Sequence, residues 1–419
     1  MSKKLTSIQE VVDAKLCSGC GACAYMQPNQ IRMENVIDEG LRPVTIRDAS
    51  RPTTDTSDAL KVCPGIDLEQ PDSVRQQSIA IDLVDAWGPI LSMWEGSASD
   101  KQLRFAGSSG GATSAFAVYA LEQRDFRLVL HVGADADAPY TNRTVVSRTR
   151  DEVLRRTGSR YAPASPCELL NEIEDAEGPC LFIGKPCDVA AAQKARRYRP
   201  NLDRNLALTV AFFCAGTPST NGTLELLKSL GVTDMDDLID VRYRGNGWPG
   251  DFVAKVRESE TAFSCSYEQS WGEVLSNHVQ WRCKLCLDHT GEFADIAVGD
   301  PWYRPIQEGE MGSSLIIART DVGKNFVEAV IKDGVLTASR VDPDLLPKSQ
   351  PNLLQTRGEV WGRLLGARLS GALTPTYRGL PSFGIWLSKV PLPRKLRSVF
   401  GAMRRCFRQG IAFKSMWRG

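Results

Sequence analysis

Residues 179–214 have the sequence PCLFIGKPCDVAAAQKARRYRPNLDRNLALTVAFFC, in which two short apolar runs flank a segment of helical periodicity. The first run, Pro179–Gly184, and the second, Leu206–Cys214, have the length and composition of buried strands. The segment between them includes Pro186–Tyr198, which has the spacing of a helix. A strand, a helix and a second strand in this order predict a βαβ crossover with parallel strands.

The crossover also predicts where a ligand binds. It places Lys185–Cys187 and Cys214 near the carboxyl ends of neighbouring strands. Open α/β sheets bind their ligands outside this edge. We therefore expect these residues to lie beside a binding site.

The hydrophobic pattern divides the rest of the chain into segments. An apolar run at Trp87–Trp94 predicts a strand, and a polar stretch at Asp48–Asp58 predicts a loop. The predicted fold class is α+β or α/β. The predicted segments are a small module over residues 1–75, mixed α/β domains over residues 85–165 and 166–345, and a helical, basic tail over residues 346–419.

Composition limits the classes of protein to which the chain can belong. With 419 residues and 42% hydrophobic content, it can bury substantial cores. The N-terminus has no secretory signal, and no run reaches the roughly 18 apolar residues of a membrane span. We therefore expect a cytoplasmic protein, in which twelve cysteines favour metal ligation over disulfides.

Three cysteines near the N-terminus have the spacing of an iron-sulfur ligand run. Cys17, Cys20 and Cys23 are each two residues apart, with a glycine in each spacer. Short spacers wrap the backbone around a cluster, and glycine tolerates the positive φ that this needs. Cys63, followed by proline, supplies a fourth thiolate. The pattern predicts one 4Fe-4S cluster in a ferredoxin-like module.

A second group of cysteines is dispersed along the chain. Cys283 and Cys286 form a C-x2-C pair, and Cys187 and Cys214 belong to the crossover. Four thiolates could meet there, although a C-x2-C pair also serves as a redox pair or as half of a zinc site, and single buried cysteines are ordinary small apolar residues. Zinc is the alternative for both groups, since four thiolates also hold a structural zinc ion. The other cysteines, Cys167, Cys180, Cys265 and Cys406, are assigned to neither group.

The C-terminal tail differs in charge from the rest of the chain. From Trp361 to Gly419 there are 12 Lys or Arg residues and no Asp or Glu, which leaves about −11 on everything before it. From Pro381 onward, apolar residues and arginines recur at near-helical spacing. Such a segment can dock on the chain's own acidic body, on an acidic partner such as ferredoxin, or on the inner face of a membrane. Nucleic-acid binding is not expected, because no recognised motif accompanies the tail.

Several stretches, taken together and in order, resemble a known family. They are CSGCGAC with Cys63-Pro64, RFAGSSGGATSAFAVYALE, IGKPCDVAAAQ, FFCAGTPS, YRGNGWPG, CKLCLDHTGEFADIAVGDPW and GSSLIIART. The family is the beta subunit of coenzyme F420 hydrogenase/dehydrogenase, which also includes the plant hydroxymethyl-chlorophyll reductase. The resemblance covers roughly residues 15–330. It makes residues 85–165 the N-terminal domain of that subunit and residues 166–345 its C-terminal domain.

The resemblance implies a flavoprotein that carries FAD beside one or two 4Fe-4S clusters, the second of which would be held by Cys187, Cys214, Cys283 and Cys286. Such a protein moves electrons between a donor, which is ferredoxin, a partner subunit or a reduced deazaflavin coenzyme, and a small organic substrate. The flavin converts between two-electron and one-electron chemistry, and the protein supplies binding and orientation. The substrate stays open, because members differ and many bacterial ones belong to cell-surface polysaccharide pathways.

A glycine-rich segment offers a place for the cofactor's pyrophosphate. Ser108, Ser109, Gly110 and Gly111 open a helix, where backbone N–H groups and the helix dipole favour an anion. The same segment also fits a plain N-cap, and an aspartate after a strand, such as Asp300, is often a turn residue. The predicted cofactor contacts are Arg104, Ser108, Ser109, Gly110, Gly111, Thr113, Lys185 and Asp300; no catalytic residue is predicted.

Three hypotheses for the whole protein follow. The first is a flavin- and iron-sulfur-dependent oxidoreductase. The second is a non-catalytic iron-sulfur relay or sensor subunit, which would contain clusters but no flavin. The third is a zinc-held interaction scaffold, which would be colourless. The Cys17–Cys23 spacing argues against the third, and the SSGG and GKPC segments argue against the second.

Overall fold

The computed structural model describes residues 5–46, 55–257, 262–307 and 309–414. The predicted crossover is present: strands Cys180–Gly184 and Leu206–Phe212 pair in parallel, with Ile183 opposite Val210. The helix between them ends at Ala195 and continues as a 3₁₀ turn to Tyr198. The chain therefore has a mixed α/β structure, as its apolar runs predict.

The N-terminal segment consists of short elements. They are α1 (Ile8–Asp13), α2 (Ala22–Met26), β1 (Ile31–Val36), β2 (Gly40–Thr45), α3 (Ser57–Lys61), β3 (Asp67–Glu69), α4 (Asp72–Arg75) and α5 (Val84–Trp87), with a 3₁₀ turn at Ile81–Leu83. Strands β1 and β2 form an antiparallel hairpin. The loop predicted at Asp48–Asp58 lies outside the described residues as far as residue 54. A ferredoxin-like module stays a prediction.

The central segment alternates strands and helices. Its elements are β4 (Ser92–Ala98), α6 (Lys101–Ala106), α7 (Ala112–Gln123), β5 (Leu128–Ala134), β6 (Asn142–Ser147), α8 (Arg150–Leu154), α9 (Leu170–Glu174), β7 (Cys180–Gly184), α10 (Pro186–Ala195), α11 (Pro200–Asn205), β8 (Leu206–Phe212), α12 (Thr220–Ser229), β9 (Leu238–Arg242), β10 (Phe252–Val256), β11 (Phe263–Cys265), α13 (Trp281–Lys284), β12 (Ile296–Gly299), β13 (Ser314–Ala318), α14 (Asp321–Lys332) and β14 (Leu336–Arg340). Shorter turns are 3₁₀ helices at Pro166–Leu169, Arg196–Tyr198 and Leu275–His278, and a π-helix at Glu268–Val274.

One eight-stranded sheet organises the central segment, in the order β14-β4-β13-β12-β8-β7-β5-β6. The four strands from β12 to β5 are parallel, and the outer strands pair antiparallel. The three strands from residues 85–165 lie at two separate places in this sheet, β4 between β14 and β13 and the pair β5-β6 at the other edge, with strands from residues 166–345 between them. The predicted boundary near residue 166 therefore does not separate two sheets.

Helices cover both faces of the sheet. Leu181 and Ile183 of β7 pack with α7 and α14, whereas Cys180 and Phe182 pack with α9 and α10 on the other face. This alternation is what the period of two in a strand dictates. The crossover strands are buried on both faces, which explains their continuous apolar sequence.

The strand predicted at Trp87–Trp94 begins only at Ser92. Trp87 instead ends helix α5, and Gly88 adopts a positive φ of 72°. Pro89 has no N–H to donate to a sheet, and Arg319 donates to the carbonyls of Trp87 and Pro89 at 2.9 and 2.7 Å. The buried guanidinium therefore holds this segment as a loop.

The C-terminal segment returns to the start of the chain. Its elements are α15 (Leu345–Ser349), α16 (Pro351–Leu369), β15 (Thr376–Arg378), α17 (Phe383–Lys389) and α18 (Leu392–Arg408). Strand β15 pairs in parallel with β3 of the N-terminal segment. Apart from β15 the tail is helical where it is regular. Among the described helices, none combines the length and the apolar character of a membrane-spanning segment.

Candidate functional site

The first cysteine group lies on two turns of the N-terminal segment. Cys17 and Cys20 lie on the turn that leads into α2, Cys23 lies in the first turn of that helix, and Cys63 follows α3. All four line one small cavity of about 20 Å³ whose other walls are mostly apolar. The structure therefore brings the four predicted ligands together.

Glycine is required in the turn between these cysteines. Gly19 and Gly21 have φ of 75° and 86°, and a Cβ on Gly21 would meet the backbone of Glu168 at 2.8 Å. The backbone N–H of Gly19 donates to Cys17 Sγ at 3.3 Å. The glycines thus let the backbone curl around the thiols, as the sequence predicts.

The thiols of this group influence one another. Burial, followed by the neighbouring thiolates of Cys17 and Cys20, raises the pKa of Cys63 to about 12 and that of Cys23 well above its usual value. Cys20 is the exception, because a hydrogen bond from Cys167 lowers its pKa. Four thiols around one small cavity can all ionise only where a positive centre compensates their charge, which is the chemistry of a metal-cluster site.

The second cysteine group gathers around the carboxyl end of the sheet. Cys187 lies in the first turn of α10, Cys214 follows β8, and Cys283 and Cys286 are in and after α13. A Cβ on Gly216 would lie 3.3 Å from the Cβ of Cys283, so these two turns are in contact. Burial and neighbouring cysteines raise the pKa of Cys214 to about 12. The four dispersed cysteines therefore form one group.

Neither group is arranged to hold a single ion. Within the described ranges, no three His, Cys, Asp or Glu side chains are placed to bind one metal ion. Iron-sulfur ligation by these cysteines stays a prediction.

One of the cysteines assigned to neither group, Cys167, lies against the first cysteine group. Its backbone N–H donates to the carbonyl of Cys20 at 2.9 Å.

A cavity of about 300 Å³ adjoins the second cysteine group. The loop Gly107–Ser109 and the first turn of α7 form one wall, and the segment Arg156–Ala162 forms another. The turn Cys214–Pro218 closes the side nearest the second group. The volume is at the lower end of the range for small-molecule sites.

Most of the predicted cofactor contacts line this cavity. Those that do are Ser108, Ser109, Gly111, Thr113, Lys185 and Asp300. Arg104 instead donates to the carbonyl of Gly312 at 3.0 and 3.2 Å. Gly110 approaches Ser313, to which a Cβ would come within 2.7 Å. These two residues shape the loop rather than the cavity wall.

The serine hydroxyls of the loop are engaged within the protein. Ser108 Oγ accepts from the backbone N–H of Ser159 at 2.6 Å, and Ser109 Oγ donates to the carbonyl of Ser313 at 2.8 Å. An anion at this loop would therefore depend on backbone N–H groups at the start of α7, whose preceding residue Gly111 has φ of 71°.

Lys185 is also paired within the protein. Its ammonium donates to Asp188 at 2.7 Å, and both residues are buried. Burial alone would lower the pKa of Lys185, but the carboxylate of Asp188 and the thiolate of Cys187 outweigh it and raise this pKa. Lys185 therefore brings less net charge to the cavity than its sequence position suggests.

Asp300 is the centre of a polar and aromatic network. Arg244 donates to both of its carboxylate oxygens at 2.8 and 3.0 Å, and Trp248 Nε1 donates at 2.9 Å. The rings of Trp248 and Tyr267 each stack on Trp302, with centroids 5.0 and 5.7 Å away. The network forms a rigid wall of the cavity.

Sequence reasoning missed several residues of this cavity. Arg156, Arg160, Arg244, Tyr161 and Tyr267 line it but were not predicted. Arg244 belongs to the YRGNGWPG stretch, which was matched as a motif without a role for any residue. The other four have no local pattern that marks them.

Two family models match the chain in sequence order, and both describe the beta subunit of coenzyme F420 hydrogenase/dehydrogenase. Residues 93–171 match the model of its N-terminal part, and residues 179–344 match the model of its C-terminal part. Together they cover more than half of the chain, including the whole eight-stranded sheet except the first residue of β4.

Individual relatives agree with these models. The beta subunit of the coenzyme F420 hydrogenase of Methanococcus voltae is 25% identical over 58% of this chain and 82% of its own length. A component of the F(420)H(2) dehydrogenase of Methanosarcina mazei is 19% identical over 87% and 92%. The coenzyme F420-dependent sulfite reductase of Methanocaldococcus jannaschii is 24% identical over 78% of this chain but 48% of its own.

A solved structure shares the fold. A chain of the F420-reducing [NiFe] hydrogenase complex from Methanosarcina barkeri superposes with a TM-score of 0.54 at 20% identity. The match covers 72% of this chain and 96% of the other.

Proposed function

Because the chain belongs to the coenzyme F420 hydrogenase/dehydrogenase beta subunit family, we propose that it is a flavin- and iron-sulfur-dependent oxidoreductase. Its relatives carry the names of hydrogenase, dehydrogenase and sulfite reductase components, all of which are redox enzymes. The single observation that carries the proposal is the contact between the cavity and the second cysteine group, since Cys214 belongs to both.

The cysteines would hold two 4Fe-4S clusters. Cys17, Cys20, Cys23 and Cys63 form one ligand set, and Cys187, Cys214, Cys283 and Cys286 form the other. In both sets, thiolates would repel one another, and a cluster would relieve that repulsion. Cys180, Cys265 and Cys406 belong to three different hydrophobic clusters, which supports leaving them out of both ligand sets.

The cavity would hold the flavin. When bound, FAD supplies two-electron chemistry toward the substrate and one-electron chemistry toward a cluster. The backbone at Ser108–Gly111 and the start of α7 would bind its pyrophosphate, with Arg156 and Arg160 adding positive charge. The stacked rings of Trp248, Trp302 and Tyr267 exclude water from the wall that Asp300 and Arg244 fix.

Electrons would pass between the cavity and an outer partner through the two cysteine groups. The second cysteine group adjoins the cavity, and a hydrogen bond connects the second group to the first. These contacts give the order cavity, second group, first group. The outer one-electron partner would be ferredoxin or a partner subunit. A deazaflavin coenzyme such as F420, whose name the relatives carry, exchanges two electrons and would therefore react with the flavin in the cavity.

The test is the cofactor content of protein purified without oxygen and without added cofactors. We expect bound flavin and about eight irons per chain, as two 4Fe-4S clusters require. Iron without flavin would replace the proposal with an electron-relay subunit. A colourless protein containing zinc would overturn it. The donor is then identified by which compound, reduced ferredoxin or reduced F420, bleaches the flavin absorbance.

A further inference from the structure

Helix α18 (Leu392–Arg408) presents its large apolar side chains to solvent. Leu392, Leu396, Phe400 and Phe407 are 66, 51, 62 and 52% exposed. Their spacing places them on one side of the helix. Phe413 extends the patch beyond the helix, because its ring contacts that of Phe407 with centroids 5.6 Å apart. A helix of a water-soluble protein ordinarily buries such residues.

The opposite side of α18 contacts the protein through small residues. Ser398, Ala402 and Cys406 are buried, and the first two face Gly362 and Gly366 on α16. A Cβ on Gly362 would collide with Ser398 Oγ, and one on Gly366 would collide with the carbonyl of Val399. This close packing fixes the rotation of α18 about its axis. The large apolar residues therefore have to point away from α16.

Arginines flank the apolar patch. Arg397, Arg404 and Arg408 are exposed, and the segment from Trp361 to Gly419 contains no Asp or Glu. Of the other basic residues, Arg394 pairs with Glu359 and Arg405 lies over the ring of Trp281 at 5.7 Å. The tail therefore docks partly on its own chain, as one sequence alternative predicts, while three arginines and the apolar patch face outward.

We propose that the outward face of α18 docks on an anionic lipid surface, lying flat in the interface. A large apolar patch beside arginines, with no acidic residue, is the composition of an interfacial helix. On α18 the exposed arginines directly border the apolar residues. A lipid surface offers both acyl chains for Leu396 and Phe400 and anionic headgroups for the arginines.

The experiment is flotation of the full-length holoprotein with vesicles of phosphatidylcholine alone or containing phosphatidylglycerol. We expect flotation only with the anionic vesicles. The triple variant Arg397→Gln, Arg404→Gln and Arg408→Gln should lower the partition coefficient on the order of 100-fold, since each basic residue near such a surface contributes about a fivefold factor. The charge-matched control is Arg155→Gln, Arg197→Gln and Arg204→Gln, all at exposed positions elsewhere, which should retain binding.

The apolar part of the face has its own variant. Phe400→Ser should weaken flotation, whereas Ile239→Ser, at a residue that is 55% exposed on β9, should not. Far-ultraviolet circular dichroism and melting curves establish that the variants are folded. The proposal would be overturned if the wild type did not float with anionic vesicles. It would also be overturned if each control variant lost as much binding as the α18 variant to which it is matched. A wild type that ignores vesicles but whose oligomeric mass falls in Phe400→Ser would assign the face to a protein partner instead.

Discussion

The guanidinium of Arg282 donates to the backbone carbonyl of Pro64 at 2.9 Å. Arg282 precedes Cys283 of the second cysteine group, and Pro64 follows Cys63 of the first. Burial alone would lower the pKa of Arg282, but Tyr377 and the thiolates of Cys286, Cys187 and Cys283 raise it. A single buried cation thus lies between the two groups and compensates both.

Replacing Arg282 by Gln should therefore shift the reduction potential of the clusters. Loss of a buried positive charge disfavours the more negative, reduced state of a cluster. We expect a shift to more negative potential on the order of 60 mV, which is a tenfold change in a one-electron equilibrium. Redox titration followed by electron paramagnetic resonance measures it.

The control for this variant is Arg204→Gln, at an exposed arginine that precedes β8 and therefore lies at the end of that strand opposite to Cys214. It should leave the potentials of both clusters unchanged. An Arg282→Gln protein that keeps its full iron content and wild-type potentials would show that Arg282 acts only as a structural link to Pro64.

The two ligand sets should lose iron independently. Cys63→Ala should remove about four irons by opening the first cluster, and Cys286→Ala should remove about four from the second. Cys180→Ala should remove none, because Cys180 is buried in β7 and belongs to neither group. Iron and acid-labile sulfide analysis, beside circular dichroism for folding, measures the result.

A variant of Cys167 tests whether the first ligand set is assigned correctly. Its thiol lies against Cys20 and hydrogen-bonds to the carbonyl of Asp188 at 3.2 Å, so it is the nearest competitor for a ligand role. Since the first group already contains four thiols, we expect Cys167→Ala to retain all of the iron. Loss of iron in this variant, with Cys63→Ala unaffected, would reassign the first ligand set.

Local sequence predicted what depends on neighbours in the chain. The strands of the crossover, helix α7 and the turn around Gly19 and Gly21 follow from apolar periodicity and from glycine's tolerance of positive φ. The first cysteine group follows from short spacing, and its Cys63 from the proline that follows it.

Long-range packing decided what the sequence could not predict. Strand β4 pairs with both β13 and β14, which are more than 200 residues later in the chain. The composition of β4 does not predict which strands it pairs with. The position of Arg282 between two cysteine groups also depends on contacts that are distant in sequence. Ser108 and Ser109 were predicted from their place before a helix, yet distant backbone groups engage their hydroxyls.

The Arg244–Asp300 pair should stabilise the fold as well as the cavity. Burial alone would lower the pKa of Arg244, but Asp300 outweighs it and raises this pKa. Asp300→Asn removes the charge while keeping the side-chain volume, and it leaves Arg244 buried without its counter-ion. We expect a loss of about 3 kcal/mol in the free energy of unfolding, measured by urea denaturation.

The matched control for this pair is Trp248→Phe. It removes the indole N–H that donates to Asp300 but keeps the ion pair. The loss of one hydrogen bond should cost about 1 kcal/mol. Equal losses in the two variants would show that the charge of Asp300 contributes nothing beyond hydrogen bonding.

His131 should make stability fall in mild acid. Its ring is buried on β5 and bonded to Ser147 Oγ at 2.8 Å, and burial followed by the charge of Arg156 lowers its pKa to about 4. In the unfolded chain the pKa is about 6.5. Between these two values the unfolded state binds the extra proton, so stability decreases as pH falls from about 6.5 toward 4 and is unaffected above that window.

His131→Gln removes this proton while retaining a group that bonds to Ser147. Lowering the pH from 7.5 to 5 should cost the wild type about 2 kcal/mol more than it costs the variant, because roughly 1.5 pH units of the window are crossed at 1.36 kcal/mol each. Urea denaturation at both values measures the difference, and the pH 7.5 curves separate it from any pH-independent effect of the substitution. If wild type and variant lost equal stability, the ring would have to be protonated in the folded state, and its burial against Arg156 would then need another counter-charge on the cavity wall.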